Sequence, residues 1–119
     1  MLEQFFFISL ITQITHSIEE LATGFHKKWY LFKMPFSTFI LFEIAFTMFW
    51  VGVLFITTFP YRQDLQRIFL VLMFANGVQH VIWWGVKKIY VPGLVTAFVH
   101  IVIFLSFYFQ ITSNLWIKM

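Results

Sequence analysis

LEQFFFISLITQITHSIEELATG, residues 2–24, decides how the whole chain is read. Its first half is rich in Phe, Ile and Leu, and its second half carries His16, Glu19 and Glu20 within five residues. A helix of this length crosses the roughly 30 Å of bilayer hydrocarbon. A charged side chain near the middle of such a helix costs about 2.5–3.5 kcal/mol on insertion scales. Ser9, Thr12, His16, Glu19, Glu20 and Thr23 recur at three- and four-residue steps, so they form one stripe. The stretch predicts a membrane helix whose polar side faces protein or trapped water rather than lipid.

Working outward, the composition agrees. The chain has 119 residues, 61% of them hydrophobic, with 18 Phe and only 11% charged, where an average soluble domain has roughly 25% charged. Four segments are long enough to span: about 2–24, 36–59, 65–85 and 91–115. HKKWYLFKM, PYRQD and VKKIY separate them, and Pro35, Pro60 and Pro92 fall at the boundaries, where a missing N–H is tolerated. Short connections make chain neighbours antiparallel. The expected fold is all-α: a single transmembrane domain over 1–119, built as an integral membrane four-helix up-down bundle. No basic residue precedes FFFISLI and no small-x-small site follows it, so a retained span is expected rather than a cleaved signal.

The absence of Cys excludes disulfides and thiolate metal sites. The net charge of +3 comes in short basic groups between apolar runs, which reads as topology and not as a nucleic-acid face. Lys27, Lys28, Lys33, Lys87 and Lys88 outnumber Arg62, Arg67 and Lys118 on the other side. The expected localisation is a multi-pass membrane protein with both termini outside the cytoplasm.

Depth follows from the helix rise of about 1.5 Å per residue. Counted from the Lys-rich ends of the spans, His16 and His100 lie roughly 12 Å deep, Glu43 and His80 roughly 10 Å, and Glu19 and Glu20 roughly 8 and 6 Å. Asn76 lies one turn below His80. Each span delivers an ionisable residue to a similar level. Facing agrees: Glu43, Thr47 and Trp50 share a side, as do Asn76, His80, Trp83, Trp84 and Lys87, and Gly93, Thr96, His100 and Phe107. Three unpaired glutamates would cost roughly 9 kcal/mol, about the whole stability of a small domain. With no Lys or Arg at that level, the histidines, a metal or a shared proton must offset it.

Three kinds of chemistry fit. The first is a divalent metal such as Zn, Fe or Mn, with His16, Glu19, Glu20, Glu43, His80 and His100 as candidate ligands. Bridged di-iron bundles use two Glu-x-x-His motifs; here the order is reversed, His-x-x-Glu, and occurs once. A glutamate left free would then act as general base towards a bound water. The second is metal-free acid–base catalysis by a Glu/His pair, an isomerase or cyclase, with Trp50, Trp83 and Trp84 able to stabilise a carbocation through their faces. The third is non-enzymatic: a binding module, or transport of protons, ions or small molecules. The reading carried forward is a membrane-embedded, metal-dependent enzyme acting on an apolar or lipid-like small molecule. His16, Glu19, Glu20 and His80 are its candidate catalytic residues; Asn76, Thr96, Trp50 and Trp84 are secondary candidates. Its expected partners are the bilayer and that substrate. So short a chain offers little wall for a closed pocket, which leaves a homo-oligomer open.

Plainer roles are expected elsewhere. His26, beside Lys27 and Lys28, reads as an interfacial loop residue, and Glu3 and Asp64 as solvated. Trp29, Tyr30, Tyr61, Tyr90 and Trp116 suit interfacial aromatic belts. Most Phe reads as lipid-facing bulk.

His16-Ser17-Ile18-Glu19-Glu20 resembles the signature of the HXXEE domain family, small integral membrane proteins of uncharacterised function. His80 in NGVQH and Tyr90-Val91-Pro92-Gly93 match the family's second histidine and its Tyr-x-Pro-Gly motif, in order. The resemblance spans residues 16–93. It implies a helical membrane domain with His16, Glu19, Glu20 and His80 as functional residues, and it implies no reaction. Pro92 has a reading of its own as a helix start, and Gly93 as a point of close backbone approach near His80.

Overall fold

Apolar runs interrupted at Gly24, Pro35, Pro60 and Pro92 become a set of helices. A computed structural model describes residues 1–118, with side chains through residue 113. The helices are α1 (Leu2–Thr23), α2 (Phe25–Lys28), α3 (Phe36–Phe55), α4 (Arg62–Lys87) and α5 (Leu94–Lys118). No strand occurs among the described residues. The side chains of Trp116 and Lys118, assigned above to an interface and to the topology count, lie outside the described residues.

The boundaries depart from expectation in four places. The HKKWYLFKM separator contributes to a helical turn, α2, and the Met34 N–H closes the following loop onto the His26 carbonyl at 2.9 Å. The second span ends early, because Ile56 turns extended and Phe59 N–H bonds Ile56 O ahead of Pro60. The third begins inside PYRQD. Asp64 falls in its first turn, where a carboxylate suits the positive end of the helix dipole. The fourth begins after Pro92, which sits in the preceding turn; Gly93 supplies the first helical carbonyl, to Ala97 N–H.

Helix directions alternate along the chain. Moving up α1, contacts move down α5: Phe5 meets Phe107, Gln13 meets His100 and His16 meets Thr96. The same holds for α1 against α3, where Phe6 meets Trp50 and Ser17 meets Glu43. Helix α4 runs parallel to α1, with Phe6 on Phe69 and His16 beside Asn76 and His80. Where α4 crosses α5, a Cβ at Gly77 would lie 2.7 Å from the Ala97 carbonyl oxygen, so this glycine lets the two backbones close up. Helix α1 thus packs against all three other long helices, which buries Ser9, Thr12, His16 and Glu20 of its polar stripe.

Helices α3 and α4 meet at one end only. There, Phe6, Leu10, Trp50, Val53, Phe69 and Met73 form an apolar core. The Arg62 guanidinium donates to the carbonyls of Val53 and Leu54 at 2.8 and 2.7 Å and also pairs with Glu3, joining α1, α3 and α4. Terminal carbonyls of α3 that have no helical partner are satisfied this way. At the other end α3 and α4 splay, leaving a cavity of about 470 Å³ walled by α1, α3, α4 and the α2 segment.

Three helices, α3, α4 and α5, are long and apolar enough to cross a membrane. Helix α1, the other expected span, does not qualify by length and composition alone, because Glu3, Glu19 and Glu20 and its hydroxyl-rich stripe lower its hydropathy. The apolar surface turned outward is extensive: Leu41 is 67% exposed, Met48 69% and Val86 75%. Patches of this size mark a surface that meets lipid or protein.

Candidate metal centre

His16 and His80, from α1 and α4, are each 0% exposed, and Glu20 lies one turn after His16. One ligand atom from each of the three falls within 4.8 Å of the others. His16 Nε2 is 3.4 Å from Glu20 Oε1, and His80 Nε2 is 3.4 Å from Glu20 Oε2. That is long for an N–H···O bond, which peaks near 2.9–3.0 Å. A separation of that size fits two ligands on one ion, since metal bonds of about 2.0–2.2 Å in a tetrahedron place donors roughly 3.3–3.6 Å apart; each histidine faces a different oxygen of Glu20. Neither ring nitrogen of His80 has a hydrogen-bond partner among the described residues. A fully buried imidazole with both nitrogens unmatched is rare in folded proteins.

The orientation of His16 is set from behind. Its Nδ1 lies 2.6 Å from the Thr96 hydroxyl, and that hydroxyl donates its one proton to Glu19 Oε1 at 2.7 Å. His16 Nδ1 must therefore be the donor to Thr96, which makes Nε2 the acceptor of the ring, taking the Asn76 N–H at 3.2 Å beside the Glu20 carboxylate. Asn76 Nδ2 stands 3.2 Å from Nε2, and its own amide is turned by Gln79, whose Nε2 donates to Asn76 Oδ1 at 2.9 Å. A carboxylate–hydroxyl–imidazole chain of this kind fixes the tautomer a metal ligand needs.

The floor of the cluster is the turn before α5. Gly93 has φ of 88°, and a Cβ there would lie 2.7 Å from His16 Cε1, 2.8 Å from His80 Cε1 and 3.1 Å from Glu20 Cγ. Glycine is required twice over, by the positive φ and by the space. The sequence expectation of close approach near His80 matches this placement.

A model for proteins of unknown function with an HXXEE motif matches residues 7–109. The chain belongs to the HXXEE family. No curated protein and no solved structure matches it. The family's motif residues divide in two. His16, Glu20 and His80 converge, with Gly93 beneath them, while Glu19 faces the other way. Its carboxylate accepts from the Thr96 N–H at 3.0 Å, the Val95 N–H at 3.2 Å, the Thr96 hydroxyl and the Tyr90 hydroxyl. Glu19 caps the start of α5, the end where a negative charge is stabilised, and reaches the cluster only through Thr96.

The other sequence candidates separate by geometry. Glu43 accepts from the Ser17 hydroxyl at 2.5 Å and lines the 470 Å³ cavity with Glu20, but adds no donor to the three-residue set. His100 sits with its ring 5.5 Å from that of His16, its Nε2 taken by Gln13 Oε1 at 3.1 Å. Thr96 and Asn76 touch His16 directly. Trp50 belongs to the core at the far end, against Phe6 and Phe69. Trp84 is 41% exposed and packs on Phe98, because a step of one residue turns it off the face that His80 and Trp83 share. His26 is buried against Phe36 and Phe39, a correction to its reading as an interfacial loop residue.

Several participants escaped the sequence. Tyr90 and Trp29 read as belt aromatics, yet Tyr90 holds Glu19 and Trp29 lines the cavity. Burial and the neighbouring Glu19 carboxylate push the Tyr90 phenol up from its usual range, which keeps it a donor. Gln13 and Gln79 carried no signal beyond lying one turn from a histidine or an asparagine on the same face.

Proposed function

We propose that this chain is a membrane-embedded enzyme, one transmembrane domain in which α1 crosses with α3, α4 and α5 as a four-helix bundle. It uses a divalent metal held by His16, Glu20 and His80 on an apolar, lipid-like small molecule. Burial of α1 against three apolar helices supports its crossing, since its polar stripe faces them. The Lys-rich end would face the cytoplasm. The observation that carries the metal is the pair of 3.4 Å separations around Glu20 together with the unmatched nitrogens of His80.

Two imidazoles and a carboxylate suit Zn, Fe or Mn and leave coordination positions for water and substrate. The bound ion would supply Lewis acidity and an activated water. The cavity walls, Phe39, Phe42, Phe46, Leu72 and Met73 among them, suit a hydrocarbon-like ligand, and Glu20 and Glu43 are its acidic groups. Glu43, held by Ser17 at the cavity wall, is placed to take or return a proton.

A metal-free reading is favoured by that same Glu43, since Glu43 and the His16–Glu20 pair could serve as acid and base across the cavity without an ion. Elemental analysis of protein purified in detergent without chelator, from cells supplied with Zn, Fe and Mn, decides between them. About one ion per chain, lost in His80→Ala, is the expected result. Metal far below one per chain in the wild type leaves the acid–base reading.

A further inference from the structure

The 470 Å³ cavity is open on one side. Phe42 of α3 and Leu72 of α4 line it and are also 60% and 45% exposed, whereas Gln13, Glu20 and Glu43 at its back are buried. Leu72 lies near the middle of α4. With α3 and α4 crossing the bilayer, this mouth opens sideways into hydrocarbon. A ligand arriving from lipid leads with its polar end and leaves its chain against the apolar rim. The volume falls in the lower half of the range of about 300–1,000 Å³ for small-molecule sites, which suits one hydrocarbon chain.

The back of the cavity offers such a ligand few polar partners. No Lys, Arg or His lines it among the described residues. The N–H groups of its lining side chains are already engaged within the protein: Gln13 with Ser17, Trp29 with Gln79, Asn76 with His16 and Gln79 with Asn76. Glu20 faces the two histidines through both oxygens. Glu43 differs. Ser17 donates to its Oε2, while its Oε1 accepts from no group among the described residues. Unlike the unmatched nitrogens of His80, Oε1 is not sealed off by protein. It is a free acceptor at the back of the cavity. A hydroxyl answers it in either protonation state, since it donates to a carboxylate and accepts from a carboxylic acid. An ether only accepts. An anionic head would meet two glutamates with no cation in the wall, and a divalent ion would only balance those two charges.

We propose that the cavity takes a single-chain lipid alcohol, which enters sideways between α3 and α4, donates its hydroxyl to Glu43 Oε1 and lays its chain along Phe42, Phe46 and Leu72. This inference rests on the reading of a membrane-embedded enzyme and names the class of its substrate. The hydroxyl is thereby held in the cavity that Glu20 of the metal cluster also lines.

The test uses the full chain in nanodiscs of phosphatidylcholine and a dodecanol probe carrying a photoactivated diazirine on its chain. Mass spectrometry reads the labelled peptides, and those holding Phe42, Phe46 and Leu72 are expected. Competitors are compared at equal membrane concentration, in alkaline buffer that ionises dodecanoate. Dodecanol should displace the probe, and its methyl ether and dodecanoate should be at least about tenfold weaker, the loss of one hydrogen bond to a charged group. Glu43→Gln should bring dodecanol and dodecanoate to near equality. Leu72→Trp, which fills the mouth, should lose the labelling, and Val86→Trp, exposed at the end of α4, should keep it. Equal competition by all three compounds in the wild type overturns the proposal. So does an unchanged preference in Glu43→Gln, labelling retained in Leu72→Trp, or labelling lost in both tryptophan variants. The competition series needs only the wild type, so it decides even where Glu43→Gln fails to fold. Metal content of the same samples keeps the two readings apart. Alcohol selectivity without metal removes only the metal centre, and metal without alcohol selectivity removes only this ligand class. A chain that does not enter nanodiscs removes the membrane reading and this inference with it.

Discussion

Glu19 and His16 lie one turn apart on α1 and meet only through a residue of α5. The Thr96 hydroxyl accepts from His16 Nδ1 at 2.6 Å and donates to Glu19 Oε1 at 2.7 Å. Two side chains of one helix are thus coupled through the helix packed against it, and the consequence is a defined face on His16.

Thr96→Val keeps the shape and removes the hydroxyl. Support of this kind behind a ligand typically contributes 10–100-fold to metal affinity. Competition against a fluorescent chelator should show a loss in that range for Thr96→Val and near-wild-type binding for Thr96→Ser. Equal affinity in all three proteins would remove the relay from the account.

His80 and His100 are both buried histidines near His16, and the structure separates them. His80 has its nitrogens unmatched beside Glu20, whereas His100 has its Nε2 on Gln13. His80→Ala should abolish bound metal, and His100→Ala should retain it with reduced thermal stability. Equal losses of metal would enlarge the ligand set to include His100.

Gly93→Ala places a methyl into His16, His80 and Glu20 at once, at a positive φ. Strained backbone of this type costs of order 1–3 kcal/mol, and overpacking adds a similar amount. A lowered melting temperature in detergent and loss of metal are expected together; a stable protein with full metal would contradict the packing.

Arg62→Met should lower stability by about 1–3 kcal/mol, because it frees the terminal carbonyls of α3 and leaves Glu3 unpaired. Metal affinity should not change, since Arg62 sits at the opposite end of the molecule from the cluster. Thermal melting and chelator titration on one preparation check both halves.

Tyr90 has its pKa raised above the ordinary 10.0 by burial and by the Glu19 carboxylate. A raised folded-state value means that the stabilising contribution is whole below the unfolded pKa and disappears as pH rises through the folded one. The stability difference between wild type and Tyr90→Phe should therefore be constant through neutral pH and shrink above pH 10. A difference that grows in alkali has the wrong sign for this arrangement.

Much was readable from local pattern. Apolar runs with proline and glycine at their ends specify long helices, because period and turn chemistry are properties of neighbouring residues. The levels of His16, Glu20, His80 and His100 followed from counting rise, and the buried faces of α1, α3 and α5 from three- and four-residue steps. HSIEE itself was visible as a place where charge and hydrocarbon conflict.

What the sequence could not determine is where each side chain points once helices are side by side. Glu19 and Glu20 are adjacent and chemically identical. Yet a turn of about 100° sends Glu20 between two histidines and Glu19 onto the first N–H groups of α5. Trp83 and Trp84 divide in the same way, one inward and one out. The cavity depends on α3 and α4 touching at one end and splaying at the other. Sequence spacing sets which residues share a helix face and how deep they lie. The angle at which one helix meets the next arises only from packing the whole set together, and that angle selects which of two neighbouring groups meets a partner.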